Sequence, residues 1–229
     1  MAGLDNAAPD VHYEGSVGGV GRKHRLSGGV QLKLNKFLAV AFVAAVSFSS
    51  FAVSAAPAGA DEGFEFTYFP HQGLDNEFSN DWGRPRDDGD RSHKGNDVFA
   101  PKLTPVVAVA DGFVTFVGTG KRPGNQVRIR HANGWETWYF HLNNDIPGTD
   151  NGRGGAKFAF AEGLARGDFV AAGTIIGYVG DSGNAEATPP HTHFELHHNG
   201  KAQNPYRHLR SAQRRQERVY ELFDSLEFG

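Results

Sequence analysis

Over residues 100–203, apolar positions come in short runs punctuated by Gly, Asn and Asp. Pro105 to Gly118 predicts a β-hairpin, with Val106-Val107-Ala108-Val109 and Phe113 to Val117 joined at Asp111-Gly112. A second hairpin is sharper. Gln126 to His131 and Trp135 to Leu142 flank Asn133-Gly134, a strong hairpin signal. Thr174 to Val179 and His191 to His198 read as further strands, with Asn199-Gly200 as another turn. No long helical pattern separates them, so the expected class is all-β, a single antiparallel β-sheet domain. The exception is the C-terminus. There Val219, Leu222, Phe223 and Leu226 follow i, i+3, i+4, i+7 spacing behind the basic run Arg207 to Arg218. This predicts an amphipathic helix over 207–229, docked on the domain by that stripe.

The first sixty residues follow another pattern. Lys33 and Lys36 precede an uncharged apolar stretch, Phe37 to Phe48, and then small residues. Ala58-Gly59-Ala60 and Val53-Ser54-Ala55 are candidate cleavage sites. Residues 1–60 thus read as an N-terminal extension and a signal peptide for export, or as an uncleaved membrane anchor. About thirty residues precede the signal, a surplus over the usual signal layout. Met1 is the only Met, so a non-Met start downstream is a hypothesis. Residues 61–77 are aromatic and turn-rich, an arm expected to lie against the domain.

Composition narrows the chemistry. The 229 residues include 30 Gly, 11 His and no Cys. Disulfides, thiolate zinc sites and thiol nucleophiles are excluded, and a metal site must use imidazole and carboxylate. A net charge of −3 gives no case for nucleic-acid binding. The Gly surplus suits tight turns, which need positive φ.

Two short motifs hold candidate ligands. The first is His93-Lys94-Gly95-Asn96-Asp97, an H-x-x-x-D in which Gly95 lets the chain turn so that both side chains converge. The second is His191-Thr192-His193-Phe194-Glu195-Leu196. Strand alternation puts His191, His193 and Glu195 on one face and Thr192, Phe194 and Leu196 on the other, the expected core face. His197 and His198 continue the strand and are expected to be solvated. A third element is His141, which alternation groups with Trp135, Thr137 and Tyr139, opposite Trp138, Phe140 and Leu142. Taken singly, each motif also suits an ordinary polar surface. The acidic run Asp87-Asp88-Gly89-Asp90 lacks the rest of a calcium loop and reads as a solvated turn.

Together, WGRPRDDGDRSHKGNDVFAP, TPVVAVADGFV, NQVRIRHANGWETWYFHL and GTIIGYVGDSGNAEATPPHTHFELH resemble the lysostaphin-like zinc metallo-endopeptidases, which cleave peptide bonds in bacterial peptidoglycan. The resemblance covers residues 78–206 and implies an antiparallel fold of the duplicated hybrid motif type, to which the spacing at 207–229 adds a short C-terminal helix. It implies that His93, Asp97 and His193 bind one Zn²⁺ per chain, and that His141 and His191 line the reaction site without being permanent ligands. Three N/O ligands leave a fourth tetrahedral position open, as in catalytic zinc sites. Glu195 could orient an imidazole from outside the ligand set. The expected layout is thus a domain at 78–206 between the 61–77 arm and the 207–229 helix. The expected protein is an exported monomer of the cell envelope or extracellular space, acting on peptidoglycan peptides. A catalytically silent envelope protein that binds peptidoglycan or activates another hydrolase is the alternative. The link Asn143 to Gly167 is longer than the family pattern, and a loop of that kind could narrow or lid the cleft and so alter substrate preference.

Overall fold

The computed structural model describes residues 63–227. The export segment and its alternative start lie outside the described residues. In chain order the strands are β1 (Pro85–Arg86), β2 (Arg91–Ser92), β3 (Asn96–Phe99), β4 (Pro105–Val107), β5 (Gly112–Gly120), β6 (Gly124–Arg130) and β7 (Trp135–Leu142). A four-residue helix, α1 (Ala156–Ala159), leads to β8 (Phe169–Val170), β9 (Ile175–Tyr178), β10 (His191–His198) and β11 (Lys201–Gln203). The 22-residue helix α2 (Tyr206–Glu227) closes the chain.

Seven strands form one antiparallel sheet in the order β11-β10-β7-β6-β5-β8, with β3 also paired to β10. The fold is therefore the expected antiparallel β type. The β6–β7 hairpin forms where expected, and Asn133 and Gly134 take φ of 55° and 74°, the left-handed conformations its turn demands. Asn199 and Gly200 turn β10 into β11 in the same way.

The hairpin expected over 105–118 does not form. β4 pairs with β9, Val106 opposite Gly177, and β5 pairs with β6 instead. The run from Val106 to Val109 is buried throughout, so it lies within the core and not on a half-exposed hairpin. Gly112 is not a turn residue. A Cβ there would sit 2.6 Å from the Arg130 carbonyl oxygen, so Gly is needed for close strand approach.

The core lies on one face of the large sheet. Ile129, Tyr139, Phe194 and Leu196 pack there against Val106, Ile176 and the arm residues Phe66 and Phe69. The Tyr139 hydroxyl accepts a hydrogen bond from Val109 N at 3.1 Å, which ties the two layers together. Helix α2 docks through Leu209 and Ala212, while Gln216 donates to the His71 and Gly73 carbonyls. The expected docking stripe is corrected here. Val219, Leu222, Phe223 and Leu226 are exposed, although the neighbouring Tyr220 hydroxyl still accepts a hydrogen bond from Gly73 N of the arm. Among the described residues, no helix is long and apolar enough to cross a membrane.

Candidate metal centre

The opposite face of β10 carries the polar cluster. His193 faces Phe140 across the β10–β7 pair and Asp97 across the β10–β3 pair. His93 reaches the same point from the turn before β3. His93 Nε2 lies 2.8 Å from His193 Nδ1 and 3.1 Å from Asp97 Oδ1, and His193 Nδ1 lies 2.9 Å from Asp97 Oδ1. A tetrahedral ion with Zn–N/O bonds of about 2.0–2.1 Å sets its ligands ~3.3 Å apart. The observed triangle is tighter than that spacing by about half an ångström at most, so small side-chain shifts would admit the ion.

Each imidazole is held by its other nitrogen. His193 Nε2–H donates to Glu195 Oε1 at 3.0 Å, and His93 Nδ1–H donates to the Asp81 carbonyl at 3.0 Å. That leaves His93 Nε2 and His193 Nδ1 as the nitrogens facing Asp97, where they share protons with its carboxylate and would release them to a metal ion. Glu195 thus orients an imidazole as expected. Asp81 and Arg86 were not visible as candidates in the sequence. Arg86 bridges Asp97 Oδ2 at 2.6 Å and Asp81 Oδ2 at 3.2 Å, but no spacing rule links it to either motif. Burial disfavours a charged His93, yet its bonds to Asp81 and Asp97 win and push it up to about 9. Burial would also raise Asp97, but His193 and His93 hold it well below the usual carboxylate range.

Gly95 serves a different purpose from the expected turn. A Cβ there would come within 2.3 Å of the Phe194 carbonyl oxygen and 3.0 Å of His193 Nε2. The H-x-x-x-D loop can lie on β10 only without a side chain at that point.

His141 joins this cleft by breaking the alternation that defines its strand. Thr137 and Tyr139 point into the core, and regular alternation would send His141 after them. Instead His141 has φ of 59°, a left-handed conformation costly for a non-Gly residue. Its ring centroid lies 5.1 Å from that of His191 and 6.1 Å from that of His193. His141 Nδ1–H donates to the Ser182 carbonyl, and His191 Nδ1–H to the Pro189 carbonyl, each at 2.8 Å. Both keep Nε2 as a free acceptor. Burial, reinforced by the neighbouring His191, lowers His141 to about 4, and burial likewise lowers His191. Both rings are neutral at pH 7.

The open cleft has a volume of about 410 Å³ and is lined by His93, Asp97, His141, His191 and His193 among others. His197 departs from expectation. It is buried, donates to Glu195 Oε2 at 2.6 Å and stacks on Trp138 with centroids 3.9 Å apart. The long 143–167 link does not supply a lid here. None of residues 143–167 lines this cleft, and their segment instead borders an adjoining hollow of about 480 Å³. The reason is a second cluster. Lys102 Nζ binds Asp145 at 2.6 Å, Asp150 at 2.8 Å and Asp181 at 2.9 Å, which pins the loop away from the histidines.

The family model for peptidase family M23 matches residues 91–152 and 156–205, which contain both motifs and His141. The chain belongs to that family. Among its relatives, the DD-carboxypeptidase/endopeptidase Mpg of Neisseria meningitidis serogroup B is 44% identical over 115 residues, 50% of this chain and 22% of that protein. The L-Ala--D-Glu endopeptidase of Bacillus subtilis is 32% identical over 150 residues, 61% of this chain and 41% of its own length. This chain therefore spans less than half the length of either. The crystal structure of lytM from Ruminococcus gnavus is 31% identical, with a TM-score of 0.51 over 66% of this chain and 61% of that one.

Proposed function

We propose that this chain is a zinc-dependent endopeptidase that hydrolyses peptide cross-links or bridges of bacterial peptidoglycan. The convergence of His93 Nε2, Asp97 Oδ1 and His193 Nδ1 within 3.1 Å, beside two neutral imidazoles in an open cleft, carries the reading. Its M23 membership and the endopeptidase names of its relatives, one of them for an L-Ala--D-Glu bond, support it. His93, Asp97 and His193 hold one Zn²⁺, and His141 and His191 act on the substrate.

A bound zinc supplies a Lewis acid for the scissile carbonyl and makes hydroxide available near neutral pH. The chain's own residues do the rest. Glu195 and Asp81 keep the ligand imidazoles aimed and in the right tautomer. His141 and His191 present Nε2 to the cleft, where either can accept a proton from the attacking water. Once charged, the same ring can stabilise the developing oxyanion or return the proton to the leaving amine. We assign residues 1–60 to export, so that the domain works in the cell envelope as a monomer.

The test uses purified, zinc-loaded protein and peptidoglycan sacculi. New free amino groups should appear, and vanish with a chelator or in His193→Ala. If the loaded protein binds sacculi and releases nothing, the reading fails in favour of a silent peptidoglycan-binding protein.

A further inference from the structure

Beside the candidate metal centre, the same face of the sheet carries a cation that peptide hydrolysis does not itself require. Arg128 stands on β6 opposite Trp138 of β7, which in turn stands opposite Glu195 of β10. The guanidinium carbon lies 4.1 Å from the Trp138 ring centroid and 5.3 Å from that of Phe116. Its Nε donates to Gln126 Oε1 at 3.0 Å. These contacts hold a long side chain in one pose, so little freedom remains to be lost on binding.

The outer edge of the fork stays open. Among the described residues, neither Nη atom of Arg128 has a hydrogen-bond or ion-pair partner. The acidic side chains lining this cleft are already engaged. Asp87 pairs with Arg91 and Arg122, Asp97 with Arg86 and the two imidazoles, and Glu195 with His193 and His197. Arg128 therefore brings an uncompensated positive charge to the cleft wall.

Its position sets a reach. The guanidinium carbon is 5.9 Å from the Phe140 centroid, and Phe140 stacks on His193 with centroids 5.5 Å apart. One aromatic ring thus separates the cation from a ligand-type imidazole. An extended peptide advances about 3.3 Å per residue, so the fork meets a group some two to three residues from the scissile bond. A paired-donor fork of this kind matches a carboxylate.

We propose that Arg128 is a specificity-determining residue that binds a substrate carboxylate, so that the preferred substrate is an acidic stem-peptide cross-link and not an uncharged glycine bridge. This deepens the endopeptidase reading and rests on it. Charge selects the substrate, and the zinc-side histidines act on whatever is bound.

The experiment compares two substrates with the zinc-loaded full chain. One is a cross-linked peptidoglycan dimer fragment with free carboxylates, and the other is the same dimer after carbodiimide amidation. Wild type should lose about 10- to 100-fold in kcat/KM on amidation, mostly through KM. Arg128→Met should show the same loss on the acidic dimer and no further loss on the amidated one. Arg128→Lys should recover part of it. Equal slowing of both dimers by Arg128→Met, or no change on the acidic one, overturns the proposal. If wild type cuts neither dimer, the endopeptidase reading fails, and binding affinities for the two dimers still decide. Affinity that depends on both the carboxylates and Arg128 keeps the post, and equal affinity removes it.

Discussion

Two clusters of potential metal ligands occur among the described residues, and only one of the two offers its atoms to an outside ion. His93, Asp97 and His193 point three ligand atoms at one another across 2.8–3.1 Å, with a cleft on the open side. Asp145, Asp150 and Asp181 also bring carboxylate oxygens within 4.8 Å of one another, but the Lys102 ammonium stands among them and contacts all three. A residue count scores the clusters alike. The difference is which cation the fold provides: an internal ammonium makes a tie between segments, whereas imidazoles held by their outer nitrogens keep an inner nitrogen whose proton a metal can displace. The tie also serves the site, because Asp181 precedes Ser182, whose carbonyl holds His141.

The largest expected effect breaks the metal side of this contrast. His193→Ala should lose its stoichiometric zinc, read by elemental analysis, and with it the cleavage of sacculi. Elemental analysis of wild type sharpens the same point: one zinc per chain is expected, and a second would mean that Lys102 does not close the other cluster.

A buried histidine without any carboxylate partner extends the comparison. His71 bonds Asn76 and Thr192, and burial lowers it to about 4. Below pH 6.5 the unfolded chain takes up a proton that folded His71 refuses, so stability is full above 6.5 and falls as pH drops toward 4. The loss from this group is about 3 kcal/mol. Urea unfolding from pH 7 to pH 4 should show a shallower decline in His71→Gln, and an unchanged decline would rule the assignment out.

Lys102→Met strikes the other cluster. It leaves Asp145 and Asp181 buried without their cation, at a cost of about 2 to 3 kcal/mol in chemical denaturation. Zinc content should stay at one per chain. A loss of zinc in this variant would show that the clusters are not separate. The smallest effect is expected from Glu195→Gln, which keeps the ligands and weakens only the orientation of His193. Zinc affinity should fall about 10- to 100-fold, measured by competition with a chelator.

Much of the site was legible before the fold. The alternation in His191 to Leu196 placed Phe194 and Leu196 in the core and His193 and Glu195 together on the other face, because strand side chains strictly alternate. The two Asn-Gly turns were equally plain, since few other dipeptides take positive φ twice at low cost. The 105–118 hairpin failed for a physical reason. Continuous apolar runs mark burial on both faces, and local sequence does not say which strand completes them. The α2 stripe failed likewise, because amphipathic spacing reports a face and not whether the body of the protein reaches it.

The sequence by itself determined the class of fold, the exclusion of sulfur ligands and the face shared by His193 and Glu195. These follow from local rules: backbone periodicity, turn conformation and the chemistry of the residues present. Only the tertiary structure decided that His141 leaves its strand's alternation at φ 59° to meet His191, and that Arg86 and Asp81 brace the ligands. It alone decided that Lys102 fills the second cluster. Each depends on groups distant in the chain being packed against one another, and that packing supplies the energy to hold a strained backbone or a buried charge where no local preference would place it.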